Sequence, residues 1–277
     1  MRAELVQNNY GKSAIRLVKV VREGERHTLH DLTVDVRCEG SFEAAHIAGD
    51  NSAVLPTDTM KNTVYDLARV HDVHPPESLA ARVGSHLLDA SPATTRVTVD
   101  VTRHSWDRIS CSGRPHDSAF VRGSNEVRTA RVTSTRATAA VVEAGVGDLV
   151  VLRTSGSAFS GFPRDPLTTL KETRDRIFAT SVTARWCYDL AIDDWSAAFT
   201  AARQALLETF ATHHSESVQH TLFAMGEAAL ATNGAIREIH LSLPNKHHLL
   251  VDLAPFQLDN PNEVFVATTE PFGLIEA

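Results

Sequence analysis

Two polar side chains near the end of the chain, Asn245 and His247, have the spacing of a functional pair. They stand two residues apart on a predicted strand, so both side chains should point to the same face. An imidazole titrates near neutral pH, and an amide group both donates and accepts hydrogen bonds. The pair therefore indicates a polar site rather than surface decoration.

Histidine is abundant, with fourteen copies in the chain, and this raises the question of a metal site. The motif H-E-x-x-H is absent, and no histidine pair has a third ligand at a usual spacing. On a strand, neighbouring side chains such as 247 and 248 point to opposite faces. The sequence therefore predicts no metal site. The pairs considered are His27/His30, His213/His214 and His247/His248.

Two glycine-containing segments resemble nucleotide-binding loops but lack their defining residues. Gly11-Lys12-Ser13 has no earlier glycine of a phosphate loop, because Val6 stands in that position. The segment 156–161 lacks the G-x-G-x-x-G spacing and is interpreted as a turn. Taken singly, Lys12 is typical of a solvated charge, Thr57 of a helix cap and Phe159 of a core aromatic residue.

The first half of the chain alternates strand and helix patterns that would position such residues. The pattern predicts strands at 13–22 and 28–37 and a helix at 57–71, with Thr57-Asp58 as its cap and acidic first turn. A second helix follows Pro75-Pro76 and carries Leu79, Val83 and Leu87 on one face. Alternating valines then predict strands around 97–101 and at 125–135.

The second half repeats this order without repeating the sequence. Strands are predicted at 148–153, 180–189, 239–243 and 263–268, helices at 194–212 and 216–232, and a short helix near Pro166. The prediction is an α+β fold of two units, residues 1–142 and 143–277. Each unit has an antiparallel sheet with a helix pair on one face. Open sheet edges favour an oligomer.

Composition excludes several other classes of protein. A net charge of −7 and a pI near 6.0 give no basic surface for nucleic acid or an anionic membrane. Cys38, Cys111 and Cys187 are isolated, which favours free thiols in a reducing compartment. The sequence shows no secretory leader, no apolar stretch of membrane-spanning length and no Ser-Lys-Leu address, so we expect a cytoplasmic protein.

Four segments, taken together, resemble the urate oxidase (uricase) family. They are residues 10–13 (YGKS), 55–65 (LPTDTMKNTVY), 159–176 (FSGFPRDPLTTLKETRDR) and 242–247 (SLPNKH), and 260–265 (NPNEVF) adds to the match. The resemblance implies the tunnelling fold, with two tandem units that each carry a four-stranded antiparallel sheet and two helices. It also implies a homotetrameric barrel with its sites at subunit interfaces.

The resemblance assigns substrate-binding roles residue by residue. Phe159 would stack under the flat purine, and Arg176 and Gln219 would grip one edge of urate by paired hydrogen bonds. Val218 would give its backbone amide to that edge, and the Asp58 backbone would reach the opposite edge.

The resemblance also implies a reaction without a cofactor, in which urate reduces dioxygen and yields 5-hydroxyisourate and hydrogen peroxide. Lys12, Thr57 and His247 would form a proton relay, and Asn245 would hold oxygen and later water over the ring. Lys12 and Thr57 would come from one subunit and Arg176 from its neighbour.

Two departures from the family pattern concern the edge of the pocket, namely Leu55-Pro56 before Thr57 and Ser160 after Phe159. Proline there restricts residue 55. Two alternatives stay open. One is an enzyme of the same fold that acts on pterins or related purines, some of which hold a metal. The other is a non-catalytic purine-binding or scaffold protein.

Overall fold

The computed structural model describes residues 3–189 and 192–277. Within these residues the fold is α+β, as predicted, with long antiparallel strands and few helices. The described residues separate into two units. The first unit comprises Met1–Gly145 and Cys187–Ser196, and the second comprises Val146–Trp186 and Ala197–Ala277. The predicted division at residue 142 into two tandem repeats stays a prediction.

The first unit contains four antiparallel strands that pair in chain order. Valines in β2 and β3 alternate with polar residues, so one face of the sheet is buried and the other carries ion pairs. Ser112 and Gly113 both have positive φ, 52° and 77°, and form a tight two-residue hairpin turn. The strands are β1 (Tyr10–Glu23), β2 (Arg26–Gly40), β3 (Thr94–Cys111) and β4 (Arg114–Thr135).

Three helices belong to the same unit: α1 (Glu43–Ala48), α2 (Thr57–Val70) and α3 (Pro76–Ala90). The two longer ones confirm the predicted helix pair. Their apolar stripes meet the valine face of the sheet and form its core, with residues such as Met60, Val64, Leu79 and Val83 fully buried. The short helix α1 was not predicted.

The second unit holds most of β5 (Val141–Arg153), most of β6 (Phe178–Tyr188) and all of β7 (Ile236–Ser242), which are neighbours in that order. The two predicted helices are present as α4 (Trp195–Thr212) and α5 (Val218–Ala231). Their stripes are buried as expected, including Phe199, Leu206 and Met225. Among the described residues, no helix has the length and apolar character needed to cross a bilayer.

The strand predicted at 263–268 exists as β9 (Phe265–Ala267), but it pairs with β8 (His248–Leu250) in a separate two-stranded sheet. The side-chain amide of Asn260 donates to the carbonyls of Val251 and Val264 at 2.9 and 2.8 Å, which closes this local hairpin. The backbone beside β7 is the C-terminal segment 273–277 instead, through hydrogen bonds such as Leu241 N to Ala277 O at 2.7 Å.

The short helix predicted near Pro166 is wrong. The segment forms a turn there, because the Asp165 carboxylate accepts from the Leu167 amide at 2.9 Å and from the Thr168 hydroxyl at 2.7 Å. An aspartate that bonds its own following backbone favours a turn over a helix.

Candidate active site

One set of the predicted site residues, Lys12, Thr57 and Asp58, lies in the first unit. Lys12 is half-buried, and in β1 it follows Tyr10 on the face that the helices cover. The Asp58 carboxyl has a pKa below its usual value, first because Lys61 donates a hydrogen bond to it and also because of the positive charge of Lys12. The strand therefore holds Lys12 near the beginning of α2.

The backbone of β1 changes course directly after Lys12. The register with β2 shifts between Lys12 and Ile15, and Ala14 has a φ of 55° while its amide donates to Asp35 at 2.8 Å. A β-bulge of this kind re-aims the side chains beside it. At Gly11, a Cβ atom would lie 1.9 Å from the Val36 carbonyl oxygen, so only glycine allows this close approach of the strands.

Tyr10 is a residue whose part in the site the sequence did not reveal, although it opens the YGKS segment. Its hydroxyl oxygen accepts a hydrogen bond of 2.9 Å from the backbone amide of Leu55, two residues before Thr57. Its ring packs edge-on against buried Phe42, with centroids 4.8 Å apart. Burial raises the pKa of the Tyr10 phenol. Tyr10 thus ties the strand of Lys12 to the segment that leads into α2.

The prediction that Thr57 caps its helix is wrong. The N-cap residue is Pro56, and Thr57 is the first helical residue, one position too late for its hydroxyl to cap. Within the described residues, the Thr57 hydroxyl makes no hydrogen bond. Because its side chain is half-buried and unengaged, the hydroxyl is available for a ligand.

The second set, which contains Phe159 and Arg176, lies in the second unit. Phe159 and Thr173 exchange two backbone hydrogen bonds, of 2.8 and 3.0 Å, which bring the ends of the 159–176 segment together. As a result the Arg176 guanidinium lies over the Phe159 ring, 5.4 Å from its centroid. Phe162 stacks on the same ring at 4.9 Å.

Arg176 differs from an ordinary surface arginine in its burial and in its contacts. Its side chain is half-buried, and within the described residues it has no hydrogen-bond or ion-pair partner. Burial lowers the pKa of its guanidinium, because desolvation disfavours the charged form. A partly buried arginine without a partner binds planar anions well, since its fork of N–H groups matches two acceptor atoms.

The loop of Phe159 also contacts the beginning of α5. Ala158 N donates to Ser215 O at 2.7 Å, and Ser215 N donates to Gly156 O at 3.0 Å. The hydroxyl of Ser217 then caps α5 by accepting from an amide of its first turn. Val218 and Gln219 are the first two helical residues, where backbone N–H groups have no partner inside the helix. Their position suits the binding of an acceptor atom.

Asn245 and His247 do not lie on one regular strand, so this prediction is wrong. They follow Pro244, which lies two residues after the end of β7 at Ser242, and occupy the irregular segment before β8. Asn245 is held instead by isolated bridges to Thr180 and Gly273. Thr180 lies in β6, four residues after Arg176, so Asn245 is fixed beside the strand that follows this arginine.

The predicted residues thus belong to two sets, Lys12, Thr57 and Asp58 in the first unit and the remaining six in the second. No three histidine, cysteine, aspartate or glutamate side chains in the described ranges form a possible metal site. Cys38 and Cys187 are buried and Cys111 is exposed, and within the described residues no disulfide joins any two of them.

Comparison with known proteins agrees with these observations. The family model described as Uricase matches residues 8–133 and 142–276. The chain is 48% identical over 273 residues to a uricase from Arthrobacter globiformis, which covers 99% of this chain and 88% of that protein. It is 37% identical to a uricase from Dictyostelium discoideum, with 99% and 96% covered.

A solved structure gives the same result. The crystal structure of uricase from Arthrobacter globiformis superimposes with a TM-score of 0.94 at 47% identity, and the match covers 100% of this chain and 94% of that one. On this evidence the chain belongs to the uricase family.

Proposed function

We propose that this protein is a cofactor-independent urate oxidase that acts in purine degradation. Urate, dioxygen and water would give 5-hydroxyisourate and hydrogen peroxide. Urate loses two electrons, dioxygen gains them together with two protons, and water supplies the added oxygen. Membership of the uricase family supports this activity. The observation that carries it is the half-buried, unpartnered Arg176 over the ring of Phe159.

The second unit would bind the substrate. Urate is a planar anion, and the Arg176 fork can donate two parallel hydrogen bonds to one of its edges. The exposed amide of Gln219 and the backbone N–H of Val218 would complete that edge. The Phe159 ring would stack on the purine, where aromatic faces gain contact area. Asn245 would hold oxygen, and later water, above the purine ring.

The first unit would move protons. The Thr57 hydroxyl is unengaged and Lys12 lies near the start of the same helix, so the pair can withdraw a proton from urate. His247 would continue the relay, and the Asp58 backbone would bind the opposite purine edge. The Asp58 carboxylate is occupied by Lys61 and Asn62, which leaves its backbone for this role.

We further propose a homotetramer in which each site combines the first-unit set of one subunit with the second-unit set of its neighbour. This arrangement would make an isolated subunit inactive. The cytoplasmic location expected from the sequence stays a prediction.

The test is to mix dialysed protein with urate in aerated buffer containing a chelator. Loss of urate absorbance together with formation of peroxide would support the proposal. If a folded oligomer gave no turnover with urate, the proposal would be wrong, and turnover of a pterin or another purine by metal-containing protein would identify the alternative.

A further inference from the structure

The helix-facing side of the first unit's sheet carries titratable groups that the proposed reaction does not use. We define this basic cluster as His30 in β2, Arg103 in β3, Arg128 in β4 and His74 in the connection between α2 and α3. Arg103 and Arg128 are directly paired in the β3–β4 ladder, so their side chains leave the same face side by side. Like charges opposite each other on a sheet are destabilising unless an anion lies between them.

In the described parts of the chain, the two arginines differ in their partners. Arg128 is 7% exposed and donates to both carboxylate oxygens of Glu77, at 3.0 and 2.9 Å, and to the Trp195 carbonyl at 3.1 Å. Arg103 is half-buried and makes no hydrogen bond or ion pair with any described residue. Burial, followed by the charge of Arg128, lowers the pKa of the Arg103 guanidinium.

Further charged residues act on the basic cluster. Lys19 in β1 acts electrostatically on His30, and Asp72 after α2 acts on both His30 and His74. The cations Lys19, Arg103 and Arg128 and the carboxylates Asp72 and Glu77 thus act on one another or on these histidines. Lys19 donates to the His71 carbonyl and Arg128 to Glu77, whereas Arg103 makes no hydrogen bond or ion pair with a described residue.

The two histidines offer further donors at the same place. Their rings stack with centroids 5.8 Å apart, and His30 is only 7% exposed. The Nδ1 atoms of both rings are buried and have no hydrogen-bond partner within the described residues, whereas Nε2 of His74 lies 3.1 Å from the Ser196 hydroxyl. Buried polar atoms are almost always satisfied in native proteins, so two adjacent exceptions indicate an absent partner.

We propose that the basic cluster binds a small tetrahedral oxyanion of the phosphate class, held by the Arg103 guanidinium and by the Nδ1–H groups of His30 and His74. A guanidinium fork matches two oxygens of such an anion, and neutral imidazoles each donate one further hydrogen bond. A metal cation does not fit, because two arginines would repel it. This site is separate from the residues assigned to urate and does not depend on the proposed reaction.

The experiment is titration of the full-length protein with inorganic phosphate by calorimetry, and thermal unfolding with and without phosphate at matched ionic strength. Arg103→Gln should weaken phosphate binding at least tenfold and abolish the rise in melting temperature. Arg82→Gln is the matched control, because Arg82 is an exposed arginine on α3 outside the cluster. It should bind phosphate as the unsubstituted protein does.

Unfolding in phosphate-free buffer provides a second test. Arg103→Gln removes a repulsive charge, so its melting temperature there should equal or exceed that of the unsubstituted protein, and phosphate should reverse the order. Arg103→Lys keeps the charge without the fork and should show intermediate binding. The proposal is overturned if the unsubstituted protein binds no phosphate at millimolar concentrations, or if Arg103→Gln and Arg103→Lys both bind it normally.

Discussion

At the scale of the residue, Arg176 has the clearest experimental signature. Arg176 is half-buried and has no hydrogen-bond or ion-pair partner in the described chain, so its replacement breaks no such internal contact. Replacing Arg176 by alanine should remove a charge-assisted hydrogen-bond pair worth about 2 kcal/mol or more. The apparent KM for urate should therefore rise roughly 30-fold or more, as steady-state kinetics with purified protein would show.

Arg174→Ala is the control for this change, because Arg174 lies two residues away and is exposed. It should leave the KM for urate unchanged. An equal effect of both substitutions would mean that general positive charge near the loop, rather than the Arg176 fork, attracts the substrate.

His74 is a residue whose protonation should change the stability of the protein. Its pKa is lowered to about 4 by burial and by the charges of Arg103 and Arg128, while Asp72 opposes the shift. The unfolded chain has an ordinary histidine pKa of about 6.5 and so binds more protons between these values. Stability from neutral His74 is therefore fully present above about pH 6.5 and is lost as the pH falls toward 4.

His74→Gln lacks this titration, although His30, whose pKa is also lowered, retains its own. In phosphate-free buffer, the unsubstituted protein should lose stability relative to His74→Gln between pH 6.5 and 4. Melting curves at a series of pH values would check this, and parallel curves for the two proteins would contradict it.

At the scale of the element, the contact between β1 and the segment before α2 decides where Lys12 stands relative to Thr57. Tyr10→Phe deletes only the oxygen that accepts the Leu55 amide. We expect a loss of about 1 kcal/mol in unfolding free energy. We also expect kcat to fall more than the KM for urate changes, since the displaced groups move protons rather than bind the purine edge.

Tyr65→Phe is a matched control, because Tyr65 also joins α2 to β1, through a 3.3 Å hydrogen bond to the Arg16 carbonyl, away from Thr57. It should leave kcat unchanged. Denaturant unfolding and steady-state kinetics of both variants would separate positioning from simple stability, and an equal fall of kcat in both would argue against the positioning role of Tyr10.

Elements with strong local periodicity were predictable. The apolar stripes of α2 and α4 and the alternating valines of β3 are local patterns that select a helix or a strand by burial of one face. The pairing of β9 with β8 was not predictable, because it depends on the Asn260 side-chain amide donating to the carbonyls of Val251 and Val264, and periodicity gives no signal for such side-chain contacts. The predicted N-cap, Thr57, lies one residue after the observed N-cap, and an error of this size is usual for helix ends.

The contacts that position the site residues were likewise not predictable from sequence periodicity. The residue types of the site were identified from a resemblance, yet the contacts that position them join distant parts of the chain. Tyr10 and Leu55 are 45 residues apart, and the Ser157–Ser215 bridge that anchors the Phe159 loop joins residues farther apart still. Sequence periodicity contains no signal for such contacts.

At the scale of the whole molecule, the proposed interface site makes a prediction about mixed oligomers. Lys12→Met should abolish turnover but retain binding of a purine analogue, since Lys12 belongs to the first-unit set. Arg176→Ala damages the second-unit set. In a symmetric oligomer that pairs these sets across an interface, a hybrid of the two variants forms one doubly damaged site and one intact site.

Co-expression of the two variants should therefore restore about a quarter of the normal activity, because half of the random subunit pairs are hybrids and half of their sites are intact. Each variant alone, assayed at limiting urate, sets the baseline, and mass measurement of the purified hybrid confirms the mixture. If the two sets acted within one chain, every site would carry one lesion and no activity above that baseline would appear. Recovery in the hybrid thus distinguishes a shared site from one contained in a single subunit.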